Sequence, residues 1–564
     1  MNSNFLKHIA GGIALALCIS CVDVDPQLGG DLIPTESRYK MFSAEIPIDE
    51  VQMKMADSLS GFSSTRITIG AVRDEDFGLS TRGCAMTLVP LMDTVNFGKV
   101  QSIKHFRLTA APDSISVSQK GQEHILQNVY VRELNSGLDY SALIDASDEK
   151  GQIQYGSASI VKGTPIINGT DSLTLDFTDD YAWKYVNYLN GKILSDSLTF
   201  DAFLKDMPGI WIETDTPAGN GGRINNFKLQ MGYNSSYYYL EDNYGEISVN
   251  SIFNEQTGAV DTTFYFYYGA LKYYGTSTLL SDYSSGTFPQ YAFNVSKHSS
   301  RDKAGSAEDM LYVEGGSGLK PVISATSLIS IAKKCIADSL EAHGLDAALA
   351  EKAVINKATI VLPFEMPEDY TRIDEYYPPR LSPTCRIVTD STSTFMGLTD
   401  ASSSSENQGD INRGIQTLDG DTYGSYSPDI TYHMQQLIRL GEDNENIAKG
   451  NYDIWMLIMK SVTTTSSSSS SSSDLSEYYQ YLAYQNYYNS MYGGYGYGSY
   501  GSYGSNYYSN YYSYMLAAMY ASGSSSTTST SFQLDTGDYY DAILCGPESS
   551  RVPTLRISFS VPQK

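Results

Sequence analysis

The sequence predicts a mainly β protein: two tandem β-sandwich-like domains, a few helices and one long disordered loop rich in Ser, Tyr and Gly. Three observations carry this. Short runs of β-branched and aromatic residues bounded by turn residues recur along the chain, as strands require. Helical spacing is confined to a few windows. Residues 463–531 are a Ser tract, a Tyr/Gly/Ser/Asn tract and more Ser and Thr without a single Lys or Arg, so they offer no regular apolar face to bury. With 564 residues and 41% hydrophobic content, the chain can hold more than one core.

At the N-terminus, Lys7 and His8 precede an apolar run, Ile9 to Ile19, that is far short of the roughly 20 residues needed to cross a bilayer. A cleaved signal, residues 1–20, fits better than an anchor helix. Leu17-Cys18-Ile19-Ser20-Cys21 puts a small residue before a cysteine and resembles a bacterial lipobox. That resemblance makes Cys21 the first mature residue and the lipid attachment point, with acyl burial at about 0.8 kcal/mol per methylene holding the protein to the membrane. Residues 21–45 then form a tether. Asp23 and Asp25 within it resemble the export signal of lipoproteins displayed on the outer membrane, so the expected location is the outer membrane, lipid-anchored and facing the cell exterior.

The first domain is expected over 46–235. Strands are predicted at Arg66 to Ile69, Ile103 to Thr109, His124 to Leu134, Ile210 to Thr214 and Ile224 to Met231, with a helix at Asp179 to Leu189 capped by Asp179 or Asp180. Residues 236–260 read as a linker. The second domain, 261–462 and 532–564, opens on Phe264 to Tyr268, and an inserted helix is expected from about Ser327 to Lys357. Ile355 to Pro363 parallels Ile103 to Thr109. A helix at Asp429 to Leu440 parallels the first, Tyr452 to Ile458 echoes Pro208 to Ile212 with a Trp in each, and Leu555 to Phe559 echoes Asn226 to Leu229. The 463–531 loop falls between the last two strands.

The chemistry-bearing residues form no catalytic pattern. Six histidines (His8, His105, His124, His298, His343, His433) lack H-x-H or H-E-x-x-H spacing, and His105 and His124 fall in predicted strands. Gly496 to Gly501 spells G-x-G-x-x-G by composition alone, and Ser330-Ile331-Ala332-Lys333 lacks the companion motifs of penicillin-binding enzymes. Asp74, Glu75 and Asp76, like Asp419-Gly420-Asp421, could offer carboxylates to calcium, but a solvated turn is the better reading. No cofactor and no metal is expected. Cys84, Cys335, Cys385 and Cys545 are widely spaced, and buried free thiols are expected over disulfides. A net charge of -26 argues against nucleic acid as a partner.

Gly29 to Pro34, Ile69 to Gly78, Leu311 to Gly316 and the Ile355-Asn356-Lys357-Ala358 strand resemble the Bacteroidota envelope lipoproteins grouped as domain of unknown function 4270. Glu75-Asp76 stands where members of that family carry Asp-Pro, and the Tyr/Ser tract is an elaboration of this chain. The resemblance implies an envelope lipoprotein and transfers no catalytic residue. The functional expectation is therefore a non-enzymatic accessory or scaffold subunit of an outer-membrane protein assembly, contacting a protein partner. The alternative is a glycan-binding or adhesin-like module presenting Trp183, Trp211 or Trp455. Asp-Ser/Thr triplets followed by a methyl-bearing residue resemble Bacteroidota O-glycosylation acceptors, with Ser58, Thr94, Ser114, Ser172, Ser197, Thr262 and Ser391 as candidates and helical Ser339 spared.

Overall fold

The computed structural model describes residues 39–562 apart from 269–291, 401–408, 467–526 and scattered runs of at most six residues. The protein is mainly β, 50% strand and 18% helix. No helix among the described residues is long and apolar enough to cross a membrane.

Two pairs of sheets each enclose a core. In the first half, one sheet contains Arg66–Asp74, Gly78–Met86, Gln127–Leu134, Ile210–Thr214 and Gly221–Lys228. The other contains Leu173–Asp176, Lys99–Ala110, Tyr244–Ile252 and Ala259–Tyr268 in that order. Alternation supplies the facing surfaces: Phe106 and Leu108 from one sheet meet Ile69, Met86 and Ile212 from the other in a single cluster. The second half repeats the arrangement around Ile360, Leu362, Ile454 and Ile557. Its sheets run Tyr39–Pro47, Thr554–Pro562, Val354–Glu365, Thr422–Tyr426, and Gln52–Met55, Leu319–Ile323, Ile454–Ser466, Leu381–Val388, Ser393–Gly397.

The strand pairing redraws the expected boundaries: residues 39–45 of the expected tether and 46–55 of the expected first domain lie in or between Tyr39–Pro47 and Gln52–Met55, which pair with strands of the second half. Residues 236–260 are not a bare linker: Tyr244–Ile252 pairs with Lys99–Ala110 along its whole length. Phe264 to Tyr268 belongs to Ala259–Tyr268, which pairs with Tyr244–Ile252 and so completes the first half rather than opening the second. Leu555 to Phe559 is the counterpart of Tyr244–Ile252, not of Asn226 to Leu229, because it lies beside the long Val354–Glu365 strand. Pairing over such distances is decided by tertiary register, which local pattern does not encode.

The helix at Asp179–Leu189 falls where its periodicity places it, but Thr178 caps it, accepting from the Tyr181 N–H, while Asp179 and Asp180 occupy the first turn. The inserted helix is Ala325–Ala342, followed by a 3-10 turn Ala347–Lys352 and then strand. The second-half helix is Thr431–Leu440. Its first turn is capped from outside, the Asp400 carboxylate accepting from the N–H groups of Tyr432 and His433 at 2.6 and 2.9 Å. A helix at Ser197–Asp206 has no counterpart in the sequence reading. His124 lies exposed in a turn, not a strand.

The ends of the 463–531 tract are strands. Ile454–Ser466 and Thr527–Leu534 pair residue for residue from Met459–Leu534 out to Ser466–Thr527. Beyond Met459 the described residues of this ribbon pair only with each other, an arm on the order of 25 Å long. Residues 467–526 lie outside the described residues.

Candidate functional site

Three features of the described residues bear on function: a buried charged seam between the halves, two equivalent tryptophan sites and the ribbon.

The seam is built from charges set into otherwise apolar strands. Glu314, at the end of Met310–Glu314, is 1% exposed and receives hydrogen bonds from Ser300 Oγ and from the Leu319 N–H at 2.8 Å. His298, on Ala292–His298, lies with Nδ1 3.1 Å from Glu314 Oε1 and Nε2 3.3 Å from Arg82 Nη1. A neutral ring protonated at Nδ1 fits both, donating to the carboxylate and accepting from the guanidinium. Burial holds His298 below its ordinary value, with Glu314 pulling the other way. Burial would raise Glu314, but the charge His298 carries once it is protonated, its hydrogen bond and the Leu319 and Ser300 donors together outweigh it and hold the carboxyl at about 2. Lys320 Nζ donates to the carbonyls of Glu314, Gly316 and Gly318, and burial brings it down to about 7. Buried Arg82 is lowered to about 10 by desolvation. One carboxylate thus serves two buried cations, with His298 contributed by the first-half sheet.

A second cluster continues the seam. Arg66 of the first half pairs with Asp113 and with Asp538 of the second, 3.3 Å away. Lys460 pairs with Asp535 and Asp538 at 3.2 and 3.4 Å, and Asn226 Nδ2 donates to Asp538 at 2.8 Å. Burial and the neighbouring Asp538 raise Asp535 to about 6. The arm is therefore rooted, through Lys460, in the contact between halves.

The sequence reading missed these residues because Arg82 and Lys320 sit in strand-like runs where a charge reads as the outward position of an alternation. The available signal was a charge beside small residues and Pro, as in Gly318-Leu319-Lys320-Pro321-Val322.

The tryptophans are packed rather than displayed: Trp211 is 5% and Trp455 3% exposed, and Trp183 is partly buried. Tyr155 stacks on Trp211 at 5.3 Å, and Phe395 meets Trp455 edge-on at 5.2 Å. Trp455 floors an open cleft of about 440 Å³ lined also by Met53, Lys54, Asp57, Arg301 and Arg386. Its cations have partners, Arg386 with Asp57 at 2.7 Å, Lys54 with Asp453 at 3.9 Å and Arg301 with Glu149, so the cleft is polar but locally balanced.

Asp74 Oδ1 accepts from the N–H groups of Asp76 and Phe77, Gly78 takes φ +71°, and buried Phe77 packs edge-on against Tyr312: the three acids form a turn that seats the first half on the second. No group of three His, Cys, Asp or Glu suited to a metal occurs among the described residues. Cys84, Cys335, Cys385 and Cys545 are free thiols.

Among the modification candidates, Ser172 is exposed before Leu173–Asp176 and Thr262 half-buried in Ala259–Tyr268. Ser114 lies in the strand Pro112–Val117, where its Oγ accepts from Asn226 Nδ2 at 3.0 Å. Ser197 begins Ser197–Asp206, and Ser339 is helical as expected. Ser58, Thr94, Ser391, Cys21, Asp23 and Asp25 lie outside the described residues. No family model, curated protein or solved structure matches the chain.

Proposed function

We propose that this chain is an outer-membrane lipoprotein, anchored through Cys21 and facing the cell exterior, that acts as a non-catalytic accessory or scaffold subunit of an outer-membrane protein assembly. The observation that supports this reading best is the ribbon from Met459–Leu534 to Ser466–Thr527. A two-stranded ribbon is marginal in water by itself, and its free edges invite strand addition or packing against another surface. The residues between its strands, 467–526, are rich in Tyr, Ser and Gly, types that give adaptable contact area at low ordering cost.

Purification from the native envelope in gentle detergent tests this. A protein partner should co-elute with the wild-type chain and be lost when residues 461–532 are replaced by Asn-Gly, which closes the hairpin on the Lys460–Gln533 pair. Wild-type protein eluting alone would reject the assembly role, and equal retention by the trimmed variant would reject the arm as the contact.

Anchoring has its own readout. The native protein should have lost residues 1–20 and gained a diacylglycerol-containing lipid at Cys21, with further hexose-scale increments from glycosylation at sites such as Ser172. An intact mass equal to the unmodified 1–564 chain would overturn the envelope assignment.

A further inference from the structure

The two halves are one fold laid down twice, with the correspondence visible in residue register. In the first half Trp211 lies opposite Ala85 and Ile210 opposite Met86; in the second, Trp455 lies opposite Val322 and Ile454 opposite Ile323. The long strands agree as closely. Phe106 faces Ile247 and Ala358 faces Ile557, and both pairings skip a residue at the same place, 104 in one and 356 in the other, the first-half pair skipping a second, 101, further along. The chain then enters the following helix through the same bond, Phe177 N–H to Phe106 O at 2.8 Å and Ile430 N–H to Ala358 O at 2.9 Å.

Carried to the sheet edges, this register identifies which strands complete each half. Beside Tyr244–Ile252 lies Ala259–Tyr268, with Ile252 opposite Ala259. At the matching edge of the second half, beside Thr554–Pro562, lies Tyr39–Pro47, with Pro562 opposite Tyr39. Ala292–His298 pairs with Gly78–Met86, placing Phe293 opposite Ala85. Its counterpart is Gln52–Met55 on Leu319–Ile323, placing Gln52 opposite Val322. Along the chain the order is strand pair, first half, strand pair, second half. Each half is completed by the pair lying next to the other half's place in that order: the first by the pair that follows it, the second by the pair at the N-terminus.

We infer that the chain is a tandem duplication whose second half is closed head to tail by the N-terminal strands, with residues 39–55 acting as a clasp. Before the clasp docks, Thr554–Pro562 and Leu319–Ile323 present open edges, each a template for main-chain pairing. The occupant is fixed by register: among the described residues, Tyr39–Pro47 and Gln52–Met55 stand where Ala259–Tyr268 and Ala292–His298 stand in the first half.

The geometry supplies its own test. A circular permutant beginning at Ser58, running to Pro562, joined through a second copy of the hexapeptide Phe253–Gly258 to Tyr39 and ending at Asp57 should recreate the first half's hairpin in the second. It should elute as a monomer with the wild-type circular dichroism spectrum, and its thermal midpoint should lie within a few degrees of wild type. The second measurement keeps the full-length chain: a protease site placed at Asp57-Ser58 is cut, and gel filtration follows. The N-terminal fragment should stay with the body in native buffer and leave only in denaturant. Release of the fragment on cutting alone would overturn the clasp, and its retention decides the matter if the permutant is insoluble.

Discussion

Glu314→Gln should be among the most damaging single substitutions in this protein, costing about 3–5 kcal/mol, the range for removing one partner from a buried charge pair. The amide keeps the shape of the side chain but leaves Lys320 and Arg82 buried around a neutral group. Urea unfolding at neutral pH reads the loss. The double variant Glu314→Gln/Lys320→Met should recover part of it, because deleting both charges leaves less uncompensated than deleting one. A double variant no better than the single would show that the carboxylate acts through its hydrogen bonds alone.

The pH dependence follows with a definite sign. The folded-state value of about 2 lies below the ordinary 4.5, so the stability Glu314 contributes is fully present above 4.5 and is lost as pH falls from 4.5 toward 2. That difference corresponds to about 3 kcal/mol. Wild type should therefore lose stability across this window more steeply than Glu314→Gln, and parallel curves would refute the assignment.

Gly70→Ala should be comparably severe for a purely steric reason. Gly70 sits mid-strand at φ +144°, opposite Ile224, and a Cβ there would collide with the Arg223 carbonyl and the Ile224 Cα, both backbone atoms of a paired strand. Strain and overpacking each cost about 1–3 kcal/mol, so a total above about 3 kcal/mol is expected. Gly414→Ala, where a Cβ meets nothing within 4 Å, is the control and should be near neutral. A urea midpoint for Gly70→Ala equal to that of the control would overturn the argument.

Elements governed by local pattern were legible in the sequence. The helix at Asp179–Leu189 and the strand Ile210–Thr214 fall where periodicity places them, and the repeated Trp marked Trp211 and Trp455 as equivalent. Strand partnership was not legible. Tyr39–Pro47 alternates like any half-buried strand, and nothing within it points to Thr554–Pro562, whose pairing is set by an edge formed more than five hundred residues later. The seam was hidden for a related reason. Glu314 and His298 become partners only when two sheets from distant segments meet, so neither residue carries a local signature.

The pairing of Tyr39–Pro47 with Thr554–Pro562 also sets how the protein bears tension. A pull along the N-terminal segment enters the fold at Tyr39, while the neighbouring strand is held from its Thr554 end, beside Pro47. The two strands are then drawn past each other along their length, so the rungs from Tyr39–Pro562 to Pro47–Thr554 resist together instead of parting one after another. A body pulled from this strand would yield late and all at once, a mechanical property suited to the anchored role proposed above.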